Sequence, residues 1–300
     1  MNPDSRARWK VWAALTTVYL VWGSTYLAIR VGVAVLPPAL FAGTRFLAAG
    51  ALMLSYALLR GGRLPSSRRD WMVIAATGVL MLVGANGLVT WSEQWIESNQ
   101  AALLVATSAL WMTGLGALGS KGERPGGLAV AGLLLGFGGV ALLVSSGLRA
   151  QSAPWFAYAG ISLSPLLWAA GSILSRRHAV ATTPMVMASL QTLIAGAVLT
   201  TVGLVCGEAA HWRWDAQGMA ALAYLMIFGS CLAYGAYLWL VHQITPAQLG
   251  TYAYVNPAVA VLLGWWILDE HLAAPQIVGT LVILLGVVLV TWSSKLKPVV

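Results

Sequence analysis

Charge is scarce in this chain. Only 9% of its 300 residues are Asp, Glu, Lys or Arg, where ordinary soluble domains carry about 25%, and that excludes a water-soluble globular protein. Cysteine is nearly absent. Cys206 and Cys231 lie in apolar runs with no metal or redox spacing and are read as packing residues. The four histidines, His178, His211, His242 and His271, are dispersed, no pair has metal-ligand spacing, and no Ser or Cys elbow is present. An intramembrane enzyme is therefore not expected, nor is a bound metal, nucleotide or other cofactor. Acidic groups are missing from the middle of the apolar runs: Asp4, Asp70, Glu93, Glu97, Glu123, Glu208, Asp215, Asp269 and Glu270 all lie at a terminus, in a loop or at a run's end. Proton-driven pumps and exporters of cations usually keep a carboxylate within the membrane. Glu93, at the outer end of the third run, is the one exception this pattern leaves room for.

Hydrophobic residues make up 59% of the chain. They gather in ten runs, 11–30, 37–59, 71–90, 99–119, 126–146, 154–174, 184–206, 217–239, 246–268 and 274–293, most near the length of about 20 residues that a helix needs to cross a hydrocarbon core. The first run lacks a small-residue cleavage site and is followed at once by others, so it reads as a retained helix. The fold class is an all-α membrane protein with ten transmembrane helices. Its net charge of +8 does not point to nucleic acid. With the N-terminus inside, Arg6, Arg8, Lys10, Arg60, Arg63, Arg68, Arg69, Lys121, Arg124, Arg176, Arg177, Lys295 and Lys297 all fall in cytoplasmic segments, as the positive-inside rule requires. Arg30, Arg149 and Arg213 fall outside. Both termini are expected in the cytoplasm of a multi-pass inner (plasma) membrane protein, whose partners are the lipid bilayer and a small-molecule substrate. Many of the 15 tryptophans, among them Trp9, Trp12, Trp71, Trp95, Trp155, Trp212, Trp214, Trp239 and Trp292, mark the ends of runs, which is the aromatic belt of a bilayer interface.

The chain repeats itself. Shifted by 146 residues, "WGSTYLAIRVGVAVLPPALFAGTRFLAAGA" (22–51) aligns without a gap on "WAAGSILSRRHAVATTPMVMASLQTLIAGA" (168–197), pairing Trp22 with Trp168, Arg30 with Arg176 and Pro38 with Pro184. At a shift of 147, Glu123, Gly132 and Gly139 fall on Glu270, Gly279 and Gly286. Each repeat, 1–150 and 151–300, holds five helices. An odd number sends the second repeat into the membrane from the opposite side, giving two inverted five-helix repeats, in which a site at the midplane is exposed to each face alternately as the halves rock.

The segment "SCLAYGAYLWLVHQITPAQLGTYAYVNPAVAVLLGWWILDEHLAAPQIVGTLVILLGVVLV" (230–290), with Pro257, Glu270, Gly279 and Gly286, closely resembles the second half of EamA-type proteins of the drug/metabolite transporter superfamily. In the first half "WGSTYLAIR", "RFLAAG" and "GERP" match at Trp22, Gly23, Arg45, Phe46 and Glu123. The resemblance covers the whole chain. It implies a ten-helix carrier, similar to exporters of amino acids, including aromatic ones, of other metabolites, or of cationic drugs. One position departs from symmetry: the fourth helix has Ala109 or Leu110 where the ninth has Pro257. Since proline removes a helix hydrogen bond, a local break near the site is better supported in the ninth helix than in the fourth.

Arg45 is the one basic residue left inside a run. It lies eight residues past Pro37, about 12 Å down a helix, where a charge costs about 2.5 to 3.5 kcal/mol on insertion scales, so it must face the bundle or a wet cavity. Two roles are open to it: hydrogen bonding to groups of adjacent helices, or supplying a positive field for a substrate carboxylate. The mirrored position carries Gln191. Trp22 and Trp168 are equivalent mid-membrane aromatics that either pack or, with Trp111, Tyr234, Tyr237, Tyr252 and Tyr254, line a cavity for a hydrophobic or aromatic side chain. Ser24, Thr25, Asn86, Ser164 and Asn256 can bond a substrate's polar groups or neighbouring helices. Pro165 and Pro257 are candidate hinges, and the glycines of "GLLLGFGG" (132–139), with Gly279 and Gly286, are read as points of close helix packing. The expected function is export of amino acids, including aromatic or hydrophobic ones, and related small metabolites by alternating access. The alternatives are a proton-coupled exporter of drug-like cations on the same fold and a membrane protein that transports nothing.

Overall fold

The computed structural model describes residues 3–96, 98–119, 122–145, 153–268 and 274–293. Ten apolar runs become ten helical spans: α1 (Pro3–Val33), α2 (Pro38–Leu59), α3 (Arg68–Ser92), α4 in two pieces (Ser98–Ala106 and Ser108–Ala117), α5 (Gly127–Ser145), α6 (Trp155–Arg177), α7 (Pro184–Val205), α8 (Ala216–Val241), α9 in two pieces (Pro246–Gly250 and Tyr252–Leu268) and α10 (Ala274–Ser293). Six of them, α1, α2, α3, α6, α7 and α8, are long and apolar enough to cross a bilayer as single uninterrupted rods. Glu97, Asp269, Glu270 and His271 lie outside the described residues.

Local chemistry starts and stops these helices at equivalent places in the two repeats. Pro38 and Pro184 occupy the first turns of α2 and α7, where the missing N–H costs nothing. Gly61 and Gly207, one residue past the C-caps of α2 and α7, adopt φ of +82° and +75°, a region that only glycine enters freely. Glu208 caps α2 from across the repeats, its carboxylate accepting the N–H groups of Ala39 (3.2 Å) and Leu40 (2.7 Å).

Two irregularities are also duplicated. The backbone widens to π-helix over Val79–Asn86 in α3 and over Leu225–Ala233 in α8. The fourth helix breaks at Thr107 and the ninth at Thr251, where each hydroxyl donates to a carbonyl three residues back, Leu104 O at 2.7 Å and Gln248 O at 2.6 Å. This corrects the expectation drawn from Pro257. That proline lies inside the second piece of α9, well past the break, and α4 breaks without any proline. Threonine hydroxyls that take up a backbone carbonyl offer the chain an alternative to the helical ladder, and here they do so in both repeats.

Packing then interlocks the repeats. The most extensive pairings are α2 with α7 and α5 with α10, and glycine permits both. A Cβ on Gly196 would stand 2.5 Å from the Leu47 amide nitrogen, and one on Gly50 would stand 2.8 Å from that of Leu193. In α5 and α10 a Cβ on Gly132 would meet Gly286 O at 2.7 Å, and one on Gly139 would meet Gly279 O at 2.9 Å. These are the small-residue contacts by which helices associate in lipid, and they place "GLLLGFGG" where the sequence suggested. Across the centre, α1 packs on α8 and α9, while α6 packs on α3 and α4. Leu20, Leu27, Leu52 and Leu281 lie exposed along the outer faces, and Trp9, Trp155, Trp214 and Trp292 are exposed near helix ends, as lipid-facing and interfacial positions require.

Candidate functional site

The inner faces of α1, α2, α3, α4, α6, α7, α8 and α9 enclose a cavity of about 90 Å³. It forms where the helices are least regular. Leu82, Ala85 and Asn86 come from the π-helical stretch of α3, Leu225, Gly229 and Ser230 from that of α8, and Val105, Ser108 and Tyr252 flank the two threonine breaks. A π-helical turn leaves carbonyls off the regular ladder and is frequent at functional sites. In α8, Gly229 O takes the Tyr234 N–H of the π turn and also accepts the indole N–H of Trp22 at 3.2 Å.

Aromatic rings close the cavity at one end. Trp22 and Trp168 meet edge to face at 5.3 Å, as the inverted repeat would place them, and Tyr237 stands 5.0 Å from the first and 5.3 Å from the second. Tyr252 lies 5.1 Å from Trp22. Tyr237 is wholly buried beneath this floor, accepting the Trp168 indole N–H at 2.9 Å and sharing a hydrogen bond with Ser172 at 2.7 Å. Such tilted and edge-to-face contacts suit the quadrupoles of the rings.

Arg45 is on the cavity wall and only 3% exposed. Its Nη2 donates to Asn86 Oδ1 at 2.6 Å, its guanidinium lies 4.3 Å from the Phe46 ring centroid, and its Nε has no hydrogen-bond partner among the described residues. The corresponding Gln191 is buried and bonded at both amide atoms: it accepts from Tyr234 OH at 2.7 Å and donates to Thr77 at 2.5 Å. The cavity's own wall therefore carries one charge, and that charge is positive. Asn256 Oδ1, also on this wall, is buried without a hydrogen-bond partner among the described residues.

Of the residues singled out from sequence, Trp22, Arg45, Asn86, Trp168, Tyr234, Tyr252 and Asn256 meet at this cavity, with Pro165, Thr25 and Ser164 beside them. Five do not reach its wall. Trp111 is 44% exposed on the outside of α4, because Ser108, Ala109 and Met112 take that helix's inner face. Tyr254 is buried but turned away, half a turn from Tyr252 and Asn256, with its ring against Gly136 of α5. Tyr237 supports the floor from below. Ser24 donates to Val21 O at 2.7 Å and shares a hydrogen bond with Tyr224 at 2.6 Å. Pro257 is buried within α9, off the wall. Tyr26, Phe46, Thr192 and Ser230 line the cavity without having been singled out. For Tyr26 the signal was available, since it lies one helical turn beyond Trp22.

Arginines tie the helix ends on either side. Arg30 donates through Nη1 to the Glu93 carbonyl at the end of α3. Its repeat equivalent, Arg176, donates to the carbonyls of Val241 and Ile244 past the end of α8, the latter at 2.6 Å, and pairs with Glu123 at 2.5 Å. Next to this cluster the His242 imidazole is held below its ordinary pKa by burial and then by the Arg176 charge. The wall residues lie between the aromatic floor and the Arg30 end, and the Arg176 cluster lies beyond the floor, two turns along α6 from Trp168.

Residues 8–145 and, separately, 155–292 each match the EamA-like transporter family. The chain belongs to that family. Among relatives of this EamA-like chain, the "Uncharacterized inner membrane transporter YedA" of Escherichia coli (strain K12) is 38% identical over 290 residues, 96% of this chain and 92% of that protein. The "Uncharacterized transporter YoaV" of Bacillus subtilis (strain 168) is 21% identical over 97% of this chain and 99% of its own. A solved crystal structure 21% identical in sequence shares the fold with a TM-score of 0.79, covering 95% of this chain and 99% of the other. The protein is thus a multi-pass inner membrane transporter of the EamA family, all-helical, with two inverted repeats.

Proposed function

We propose that this EamA-family transporter exports amino acids, including aromatic or hydrophobic ones, and related small metabolites by alternating access. Both termini are cytoplasmic in this reading, 1–150 and 151–300 are the two repeats, and the Arg30 end of the cavity faces outward. The observation that carries it is Arg45: a buried guanidinium whose Nε has no hydrogen-bond partner among the described residues, on the wall of a cavity floored by Trp22 and Trp168. A substrate carboxylate satisfies the guanidinium by a charge-assisted hydrogen bond. Asn256 Oδ1, which has no hydrogen-bond partner among the described residues, accepts from the ammonium, and the rings receive the side chain. No cofactor enters the scheme.

Counterflow in proteoliposomes tests it. Vesicles loaded with one unlabelled amino acid at a time are given labelled phenylalanine outside. Uptake that follows the internal amino acid supports the reading, and no counterflow with any amino acid refutes it. Burial of Glu93 favours the second reading, a proton-coupled exporter of drug-like cations. The positive charge on the cavity wall weighs against it, because a cation would be repelled there.

A further inference from the structure

Glu93 ends α3, and its side chain is fully buried with both carboxyl oxygens free of hydrogen bonds among the described residues. It continues a helical stripe, Leu82, Asn86, Val89 and Glu93, whose first three members line the cavity, and thus stands one turn beyond the wall at the Arg30 end. The charges whose fields act on it are those of Arg30 on α1 and Arg45 on α2, and Tyr26 on α1 is the titratable group beside it. From α6, packed on the same turn through the Ser92 to Ala157 hydrogen bond of 3.1 Å, the neighbouring titratable side chain is Tyr158. A buried carboxylate that no donor satisfies is costly unless a cation offsets it. Arg30, whose field on Glu93 is the stronger, donates to the Glu93 main-chain carbonyl outside the cavity wall and keeps its charge whatever the cavity holds. Arg45 is the cation whose surroundings change when the cavity fills.

We propose that Glu93 is a proton-binding site coupled to the cavity through Arg45, taking up one proton when a substrate carboxylate engages Arg45 and losing it when the substrate leaves. This rests on the reading of Arg45 as the carboxylate's partner. An empty cavity leaves the Arg45 charge, together with that of Arg30, acting on Glu93. In a filled one the substrate carboxylate cancels the Arg45 contribution and Glu93 takes up its proton, so substrate and proton cross together. Efflux of an accumulated amino acid then carries protons outward with it.

The test uses the full-length protein in liposomes at zero membrane potential, with radiolabelled phenylalanine and an imposed pH difference. The expected result is accumulation on the alkaline side, about tenfold per pH unit for one proton per substrate. Glu93→Gln should abolish the pH response while counterflow continues, and Glu93→Asp, which keeps the carboxyl, should retain it. Flux indifferent to pH, accumulation on the acidic side, or an unchanged pH response in Glu93→Gln overturns the proposal. A second readout needs no substrate: infrared difference spectra between about pH 5 and 8 should show a buried carboxylic acid C=O band in the wild type that Glu93→Gln removes. If no amino acid shows counterflow, the function proposed above fails, and that spectrum still decides whether Glu93 exchanges a proton. Its absence refutes the site.

Discussion

Replacing Arg45 by glutamine installs the residue that the other repeat uses at the same place. In the folded protein the change removes one hydrogen bond, from Nη2 to Asn86 Oδ1 at 2.6 Å, and also removes a buried charge, so the two effects on stability oppose one another. For transport they do not cancel. A hydrogen bond to a charged group contributes about 1.5 to 3 kcal/mol, which predicts a roughly ten- to hundredfold weaker half-saturation for phenylalanine in counterflow. Phenethylamine, which lacks the carboxylate, supplies the control. Wild type should discriminate strongly against it, whereas Arg45→Gln should treat the two molecules nearly alike. Arg45→Lys should recover only part of the discrimination, because a point charge replaces a planar fork. If Arg45→Gln folds and exchanges phenylalanine with wild-type half-saturation, Arg45 is a structural residue and the assignment of the cavity to carboxylates is wrong.

Trp22→Ala or Trp168→Ala should shift preference away from aromatic substrates by about 0.5 to 1.5 kcal/mol per lost ring contact, read as relative counterflow of phenylalanine and alanine; unchanged preference in both variants counts against the floor. Gly196→Ala, which places a methyl group 2.5 Å from the Leu47 amide nitrogen, should cost about 1 to 3 kcal/mol by overpacking and lower the melting temperature in detergent, and a wild-type melting curve would contradict the close approach. Glu123→Gln removes the carboxylate from the Arg176 cluster and should increase alkylation of a cysteine placed at Ser172, beneath the floor, in a background without Cys206 and Cys231; equal labelling would show that the cluster does not hold that end closed. Because His242 is depressed below the usual histidine value of about 6.5, stability is complete above that pH and declines as pH falls below it toward the depressed value. His242→Gln should flatten this decline in a melting-temperature profile.

The ten spans were legible because apolar runs of membrane length are rare by chance, and the inverted repeat because nearly the same offset, 146 and then 147 residues, served along the chain. The site was half legible. Arg45, Asn86, Trp22 and Trp168 stood out as polar or bulky residues in apolar runs, and all four face the cavity. Which face a residue occupies was harder to read within helices apolar all round. Trp111 and Tyr254 differ from true wall residues only by a fraction of a turn, and the breaks at Thr107 and Thr251 set that phase. Threonine carries no signal as clear as proline, which is why Pro257 drew attention that the residue six positions earlier merited. Glu93 was misleading for another reason: distance from the middle of a run implies water, yet Tyr26, Val89 and Ile96, all buried on or near the same turns, belong to a packed cluster at that end.

The cross-packing of α1 on α8 and α9, and of α6 on α3 and α4, has a mechanical consequence. A molecule whose two parts were its two sequence repeats could swing about the link between them. Here the glycine seams fasten α2 to α7 and α5 to α10, and each opening helix has been handed to the opposite repeat, like the ends of two interwoven cords. Under the alternating access proposed above, the blocks that move are therefore hybrids, each assembled from both repeats. Cutting the chain at its midpoint would sever the polypeptide without separating a single moving part.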